Sequence, residues 1–249
     1  MQRKKKIGYT IAAVIVLLVL IGVLLFRDSS DALWNTVAEQ CVPNQQQGSP
    51  APCLAVNSRT QSALLKDRNG PHHDLLIPTE KISGIESPAL QAHNVPPFFA
   101  AAWESRQHLS NEAGKTLPDD ILVLAVNSRY ARSQEQLHIH ISCLRPEAYQ
   151  TLREQGNALS TDWQPLGEEL RGHRYLAKKL TTQDLTRDDP FKELYAYVQR
   201  QGDSIDNYGL ALTVTPDGEK LLLANRGVRF GFNRGSTSEL IDTQCSLAR

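Results

Sequence analysis

Residues 136–142 read Gln136-Leu137-His138-Ile139-His140-Ile141-Ser142. Polar and apolar side chains alternate, which is the pattern of a half-buried strand. Successive side chains on a strand point to opposite faces, so Gln136, His138 and His140 are expected to project together from one side. Leu137, Ile139 and Ile141 then face a core. Imidazole is the side chain best suited to nucleophilic or proton-transfer work near neutral pH.

Outward from this stretch, the chain alternates between strand-like and helix-like segments. Ser62 to Lys66 and His73 to Pro78 read as strands of a hairpin closed by Asp67-Arg68-Asn69-Gly70-Pro71. Pro97 to Ala113 fits a helix with Phe98, Phe99, Ala102 and Trp103 as its buried stripe. Ile121 to Asn127 is apolar enough for a central strand beside Leu137–Leu144, and Pro146 opens a further helix. A second half begins near Ser160, with a helix from Pro190 to Gln201 and a hairpin of Tyr208–Val214 with Lys220–Ala224. Asp28 to Gln40 reads as a short amphipathic helix, followed by a Gln- and Pro-rich loop over 42–52. No internal repeat is visible in the sequence. This order of elements predicts an α+β fold with an antiparallel sheet.

At the N-terminus, Arg3, Lys4, Lys5 and Lys6 precede an uncharged run from Ile7 to Phe26. At about 1.5 Å per residue such a run spans ~30 Å, the thickness of a bilayer core. It is longer than the apolar region of a cleaved signal peptide and lacks its small-residue end. The reading is a basic cytoplasmic end (1–6), a single transmembrane helix (7–26) and an exported domain (27–249). In a bacterium that places the protein in the inner membrane with its domain in the periplasm. Beyond residue 26 the 23 basic and 27 acidic residues leave a net charge of −4. That balance carries no footprint for nucleic acid. The 223 residues from Arg27 onward suffice for a full core.

Four cysteines lie beyond the apolar run: Cys41, Cys53, Cys143 and Cys245. An even number in an exported domain favours disulfides, and three pairings are open. Cys41–Cys53 would close the Pro- and Gln-rich loop, leaving Cys143–Cys245 to tie the histidine strand to the C-terminus. No Cys-x-x-Cys is present and no third ligand is spaced to join His138 and His140, so a metal is not expected.

The strand resembles that of the histidine triad superfamily, His-φ-His-φ-His-φ-φ with φ apolar, except that Gln136 stands at the first position. His73-Asp74-Leu75-Leu76-Ile77-Pro78-Thr79-Glu80-Lys81-Ile82 is similar to that superfamily's upstream His-x-φ-φ-Ile-Pro-x-x-x-Ile segment. Asn127, Ser133 and Gln134 match its polar residues before the triad. With the N-terminal run, Cys41-Val42-Pro43-Asn44, Lys66-Asp67-Arg68-Asn69-Gly70-Pro71, Asn127-Ser128-Arg129, Leu170-Arg171-Gly172-His173 and Gln244-Cys245, the whole chain resembles the bacterial CDP-diacylglycerol pyrophosphatases.

The resemblance implies a histidine-triad-like antiparallel sheet with flanking helices. It implies hydrolysis of a lipid-linked nucleotide, CDP-diacylglycerol, to CMP and phosphatidate through a CMP-histidine, with no cofactor. His138 takes the nucleophile's position and His140 a supporting one. His73, Asn127, Ser133, Gln134, Gln136 and His173 are the candidate substrate-binding residues. Gln136 can donate through its amide but cannot gain or lose a proton, so it would replace a binding role. His173 sits in a basic segment that could meet the pyrophosphate, whereas Arg171, Lys178 and Lys179 read as a solvated helix face. Two other readings stay open: a hydrolase of soluble nucleotide sugars or dinucleotides, and a non-catalytic nucleotide-binding module. Oligomeric state is not legible.

Overall fold

The computed structural model describes residues 15–16, 30–228 and 230–248. Its centre is a ten-stranded sheet in which every pairing is antiparallel. The first half contributes β1 (Ala55–Asn57), β2 (Ser62–Lys66), β3 (His73–Pro78), β4 (Leu122–Val126) and β5 (Ile139–Leu144). The second contributes β6 (Gln164–Pro165), β7 (Tyr175–Lys179), β8 (Tyr208–Val214), β9 (Lys220–Arg226) and β10 (Ile241–Asp242). In space the order is β1-β2-β3-β5-β4-β8-β9-β7-β6, with β10 added to β5.

That order contains a repeat that the sequence hides. The strands β2-β3-β5-β4 and β6-β7-β9-β8 follow the same path in the two halves, and they meet at β4 and β8. The seam register is Leu124↔Leu212, Ala125↔Ala211 and Val126↔Leu210, centred on the alanine pair. Each half also places helices between its second and third strands. These are α3 (Phe98–Ser105) and α4 (Gln107–Ala113) in the first half, and α6 (Pro190–Arg200) in the second.

Helices cover both faces of the sheet, so its central strands are buried throughout. On one face Phe98, Phe99, Ala102, Phe191 and Leu194 pack over Leu124, Ile139, Ile141 and Leu212. On the other, α5 (Pro146–Gln155) sets Ala148 and Leu152 against Val123, Ala125 and Leu223. The segment expected as one helix over 97–113 is two, because α3 ends at Ser105 and α4 begins at Gln107. Arg106 between them turns its guanidinium onto the Trp103 carbonyl and the Asp119 carboxylate.

The N-terminal helix runs further than expected. It comprises α1 (Ala32–Asn35), a π-helical stretch (Thr36–Cys41) and α2 (Val42–Gln46), so the expected loop begins only after Gln46. Val37 and Cys41 pack on Ala63, Leu75 and Ile77 of the sheet. A disulfide joins Cys41 to Cys53, and a second joins Cys143 on β5 to Cys245. The segment 175–179 is a strand, not a solvated helix face. Lys178 is buried there, 2.6 Å from the Glu193 carboxylate.

The expected transmembrane helix requires correction. Among the described residues no helix is long and apolar enough to cross a membrane. Apart from residues 15–16, the run 7–26 lies outside the described residues. The fold is a mixed α/β one built on a large antiparallel sheet, and its described residues include no membrane-spanning helix. The single-pass inner-membrane placement that rested on such a helix is withdrawn with it.

Candidate active site

The two histidines lie where β5 begins, on the sheet face covered by the N-terminal helix and α5. His140 opposes Leu75 of β3 and Ala125 of β4. His138 stands one residue before the strand, at the end of a connection that the fold braces along its length. The Arg132 side chain in that connection is 3% exposed and grips Glu86 through two hydrogen bonds of 2.6 and 2.9 Å. Leu137 N–H donates to the Ile82 carbonyl, and Glu135 N–H to that of Ser30.

His138 Nδ1 lies 2.7 Å from the carbonyl oxygen of Gln136. A carbonyl only accepts, so Nδ1 carries the proton and Nε2 keeps its lone pair. Burial lowers the His138 pKa, with a smaller opposing effect from the bond to Gln136, and the Arg132 charge lowers it further. The ring is therefore neutral and its available nitrogen is a Lewis base.

His140 stacks on His73, with His73 Nε2 and His140 Nδ1 2.9 Å apart. One proton lies between them. The Asp67 carboxylate, 3.7 Å from His73 Nδ1, favours a proton on that nitrogen. His73 Nε2 then accepts from His140 Nδ1–H, and His140 Nε2 holds a lone pair with no partner among the described atoms. Burial, then the neighbouring His138 and His73, keep the His140 pKa well below the ordinary histidine value. His73 is also lowered by burial, against an opposing pull from Asp67.

These rings open onto a cleft of about 310 Å³. One wall is the N-terminal helix, through Leu33 and Thr36; another is the β2–β3 turn, through Asp67, Arg68 and Asn69; Ser133 and Gln134 close it. Gln134 Oε1 accepts from Leu33 N–H at 3.0 Å, joining the β4–β5 connection to the helix wall. The Cys41–Cys53 disulfide holds that wall to the sheet edge.

Of the candidate residues, the structure brings His138, His140, Ser133 and Gln134 to the cleft, with His73 directly behind His140. Gln136 is not on the histidine face. It is fully buried in a bend, and its amide donates to the carbonyls of Pro78 and Glu80 and accepts from Ile82 N–H. Its side chain holds the end of β3, because the strand begins only at Ile139 and its alternation does not extend back to 136. Asn127 turns to the segment 236–238, bonding Ser236, Ser238 Oγ and Ser238 N–H.

His173 lies in the second half, where its Nδ1–H donates to Glu239 at 2.9 Å. It lines a separate groove of about 930 Å³ with Tyr175, Tyr197 and Arg226. The repeat accounts for the asymmetry. Through the alanine seam, Leu223 occupies the place of His140, and Tyr175 the place of His73. The stacked His73–His140 pair thus has no counterpart at the equivalent positions of the second half.

Sequence reasoning assigned no site role to Asp67, Arg68 and Asn69. The signal available was a charged turn six residues before a histidine whose strand pairs with the His-x-His strand. Among the described residues, two groups bring three metal-ligating atoms within 4.8 Å of one another: Asp67, His73 and His140, and Asp74, His108 and Glu112. In the first, the His73–His140 hydrogen bond already uses two of the ligand nitrogens. In the second, the Lys66 ammonium sits 3.3 Å from Asp74 and 2.6 Å from Glu112.

Neutral imidazoles on an antiparallel sheet, beside a basic turn and hydroxyl and amide donors, define a site suited to covalent histidine chemistry on phosphate. The comparisons with known proteins narrow this class. The sequence profile of the CDP-diacylglycerol pyrophosphatases matches residues 28–249. A CDP-diacylglycerol pyrophosphatase of Yersinia pestis is 38% identical over 251 residues, covering 99% of this chain and 97% of that protein. The chain belongs to the CDP-diacylglycerol pyrophosphatase family. A crystal structure of a DUF4931 family protein from Bacillus cereus aligns with 79% of this chain and 95% of its own, at 11% identity and a TM-score of 0.46.

Proposed function

We propose that this chain hydrolyses CDP-diacylglycerol to CMP and phosphatidate by two displacements at the phosphorus of the CMP half. The observation that carries the mechanism is the His138–Gln136 contact, which leaves His138 Nε2 as the lone-pair nitrogen of a neutral ring. In the first displacement Nε2 attacks that phosphorus in line. A P–N bond forms, the P–O bond to phosphatidate breaks, and the electron pair leaves on the phosphatidate oxygen. Phosphatidate is a stable anion, so no strong acid is required at the leaving group. A glutamine in place of the first triad histidine is compatible with this chemistry.

In the second displacement water attacks the same phosphorus and the P–N bond breaks, returning the pair to His138 Nε2. His140 Nε2 is the base that removes the water's proton. Its Nδ1–H is held by His73, and the Asp67 carboxylate lies 3.7 Å from His73 Nδ1, so the positive charge that arises on His140 is met by a carboxylate beyond the His73 ring. Arg68, Asn69, Ser133 and Gln134 line the volume in which the phosphoryl oxygens gather charge. The domain from residue 27 onward acts as one catalytic unit, its two halves sharing a sheet.

Incubation of the purified chain with CDP-diacylglycerol, with and without chelator, tests this reading. Release of equimolar CMP and phosphatidate supports it. Turnover of soluble nucleotide sugars or dinucleotides alone, or of no nucleotide at all, contradicts it.

A further inference from the structure

The segment Gly227-Val228-Arg229-Phe230-Gly231-Phe232-Asn233-Arg234-Gly235 follows β9 and presents large apolar side chains outward. Phe230 is 92% exposed and Phe232 107% exposed, with Val228 beside them at 47%. Isolated exposed apolar residues need no explanation, but three within five residues of one tip form a patch. The base beneath them is built. Val228 N–H donates to the Asn233 carbonyl at 2.9 Å. Asn233 bonds Asn225 Oδ1 at 2.8 Å and the Arg226 carbonyl, and its own Oδ1 accepts from Gly235 N–H. The two legs cross so closely that a Cβ at Gly227 would meet Arg234 and Gly235 backbone at 2.2 Å. The phenylalanines are thus held out from a pinned neck.

The neck also fixes where the tip lies. Ser128 N–H donates to the Gly235 carbonyl, and Ser128 hydroxyl to that of Arg234. Ser128 follows β4 at the end of the sheet where His138 enters β5, one strand spacing of about 5 Å away. The phenylalanine tip and the histidine cleft therefore open at the same end of the sheet. Arg234 is exposed on the return leg, and Arg226 lies at the foot, 2.5 Å from Asp203.

We infer that the 227–235 loop is a peripheral docking element for an anionic phospholipid surface, which seats Phe230 and Phe232 among the acyl chains while Arg234 meets the headgroups. Aromatic side chains favour the bilayer interface, and basic side chains beside them are drawn to anionic lipid. This inference rests on the reading that the substrate is a diacyl lipid, because such a molecule stays in the bilayer and must be approached from its surface. It concerns surface contact by a loop and no membrane span.

The test uses the full chain and vesicles of phosphatidylglycerol and phosphatidylcholine in equal parts, with bromine on the acyl chains. Phe232→Trp should be quenched beyond the background that the wild-type protein's Trp34, Trp103 and Trp163 give. Quenching no greater than wild type overturns the inference, and self-association through the tip in place of quenching would assign the patch to a second copy. In parallel, Phe230→Ser/Phe232→Ser should lower kcat/KM about tenfold on vesicle-borne CDP-diacylglycerol, the loss of one ordinary contact's worth of surface affinity. It should leave a monomeric short-chain analogue unaffected. Equal losses on both substrates, or on neither, overturn it. Failure of the wild type to cleave either substrate would count against the enzymatic reading, while quenching at position 232 still reports the lipid contact.

Discussion

His138 Nδ1 sits 2.7 Å from the carbonyl oxygen of Gln136, two residues back along its own chain. The contact sets the tautomer, aims the other nitrogen and ties the proposed nucleophile to a backbone that is itself held. Gln136 contributes through its main chain, and its side chain is turned the other way to pin residues 78–82. The two roles of one residue separate cleanly in mutants.

Replacing His138 by Ala should remove turnover by a factor of at least about 10³, because the nucleophile itself is lost. The ring is 9% exposed at the edge of the cleft and bonds only to main chain, so the melting temperature should move by a few degrees at most, of the order expected for ~1 kcal/mol. Steady-state CMP release and a thermal melt on the same preparation check both halves. Near-normal rates with a normal melt would remove His138 from the mechanism.

Gln136→Ala should act on stability. The side chain is wholly buried and satisfies three backbone groups, so its loss strands them at a cost of about 1–3 kcal/mol. The folded fraction should retain kcat within a few-fold. A large fall in kcat at unchanged denaturation midpoint would return Gln136 to the binding site.

The Asp67–His73–His140 chain predicts where the slow step moves. His140→Ala, His73→Ala and, more mildly, Asp67→Asn should impair the second displacement more than the first. Rapid-quench assays should then show a burst of phosphatidate ahead of CMP. Slowed phosphatidate release with no burst would place the chain in the first step instead.

All three histidines have pKa values lowered by burial, below the ordinary 6.5. Between the folded and unfolded values the unfolded chain binds more protons, so stability rises with pH across that window. The contribution is complete above 6.5 and is lost as pH falls through the folded values. The acid limb of the kcat profile should likewise have its midpoint below 6.5, since His138 and His140 must be neutral. A midpoint above 6.5 would show that an essential group other than these limits the rate.

The disulfides give a separate stability expectation. Cys143–Cys245 spans 102 residues and Cys41–Cys53 spans 12. Loop-closure entropy assigns the long crosslink about 4–5 kcal/mol and the short one roughly 3. The double variant Cys143→Ser/Cys245→Ser should therefore lower the urea midpoint more than Cys41→Ser/Cys53→Ser. The short one should show in activity as well, because it holds the helix wall of the cleft.

The strands that alternate or run apolar were legible: Leu122–Val126, the Ile139–Leu144 strand and the Tyr208–Val214 hairpin lie within a residue or two of expectation. Of the three pairings open to the four cysteines, the structure has the favoured one, Cys41 with Cys53 and Cys143 with Cys245. Gln136 was misplaced because period-two alternation was carried past the point where the chain bends, and periodicity does not mark that point. Tyr175–Lys179 was missed as a strand because Lys178 is buried only through an ion pair with Glu193, which lies 15 residues on. The twofold topology is a product of strand pairing between distant segments, which leaves no local signal. His173 and Asn127 share motif context with the histidines, yet the fold commits both to the segment around Glu239.

The covalent role of His138 is tested most directly by the stereochemical course at the CMP phosphorus. CDP-diacylglycerol made chiral there with sulfur is hydrolysed in oxygen-18 water, and the configuration of the labelled CMP thiophosphate is read. Two in-line displacements predict retention, with the label in the nucleotide. Inversion, or label in phosphatidate, would mean that water attacks directly or at the lipid-side phosphorus, and would contradict the account.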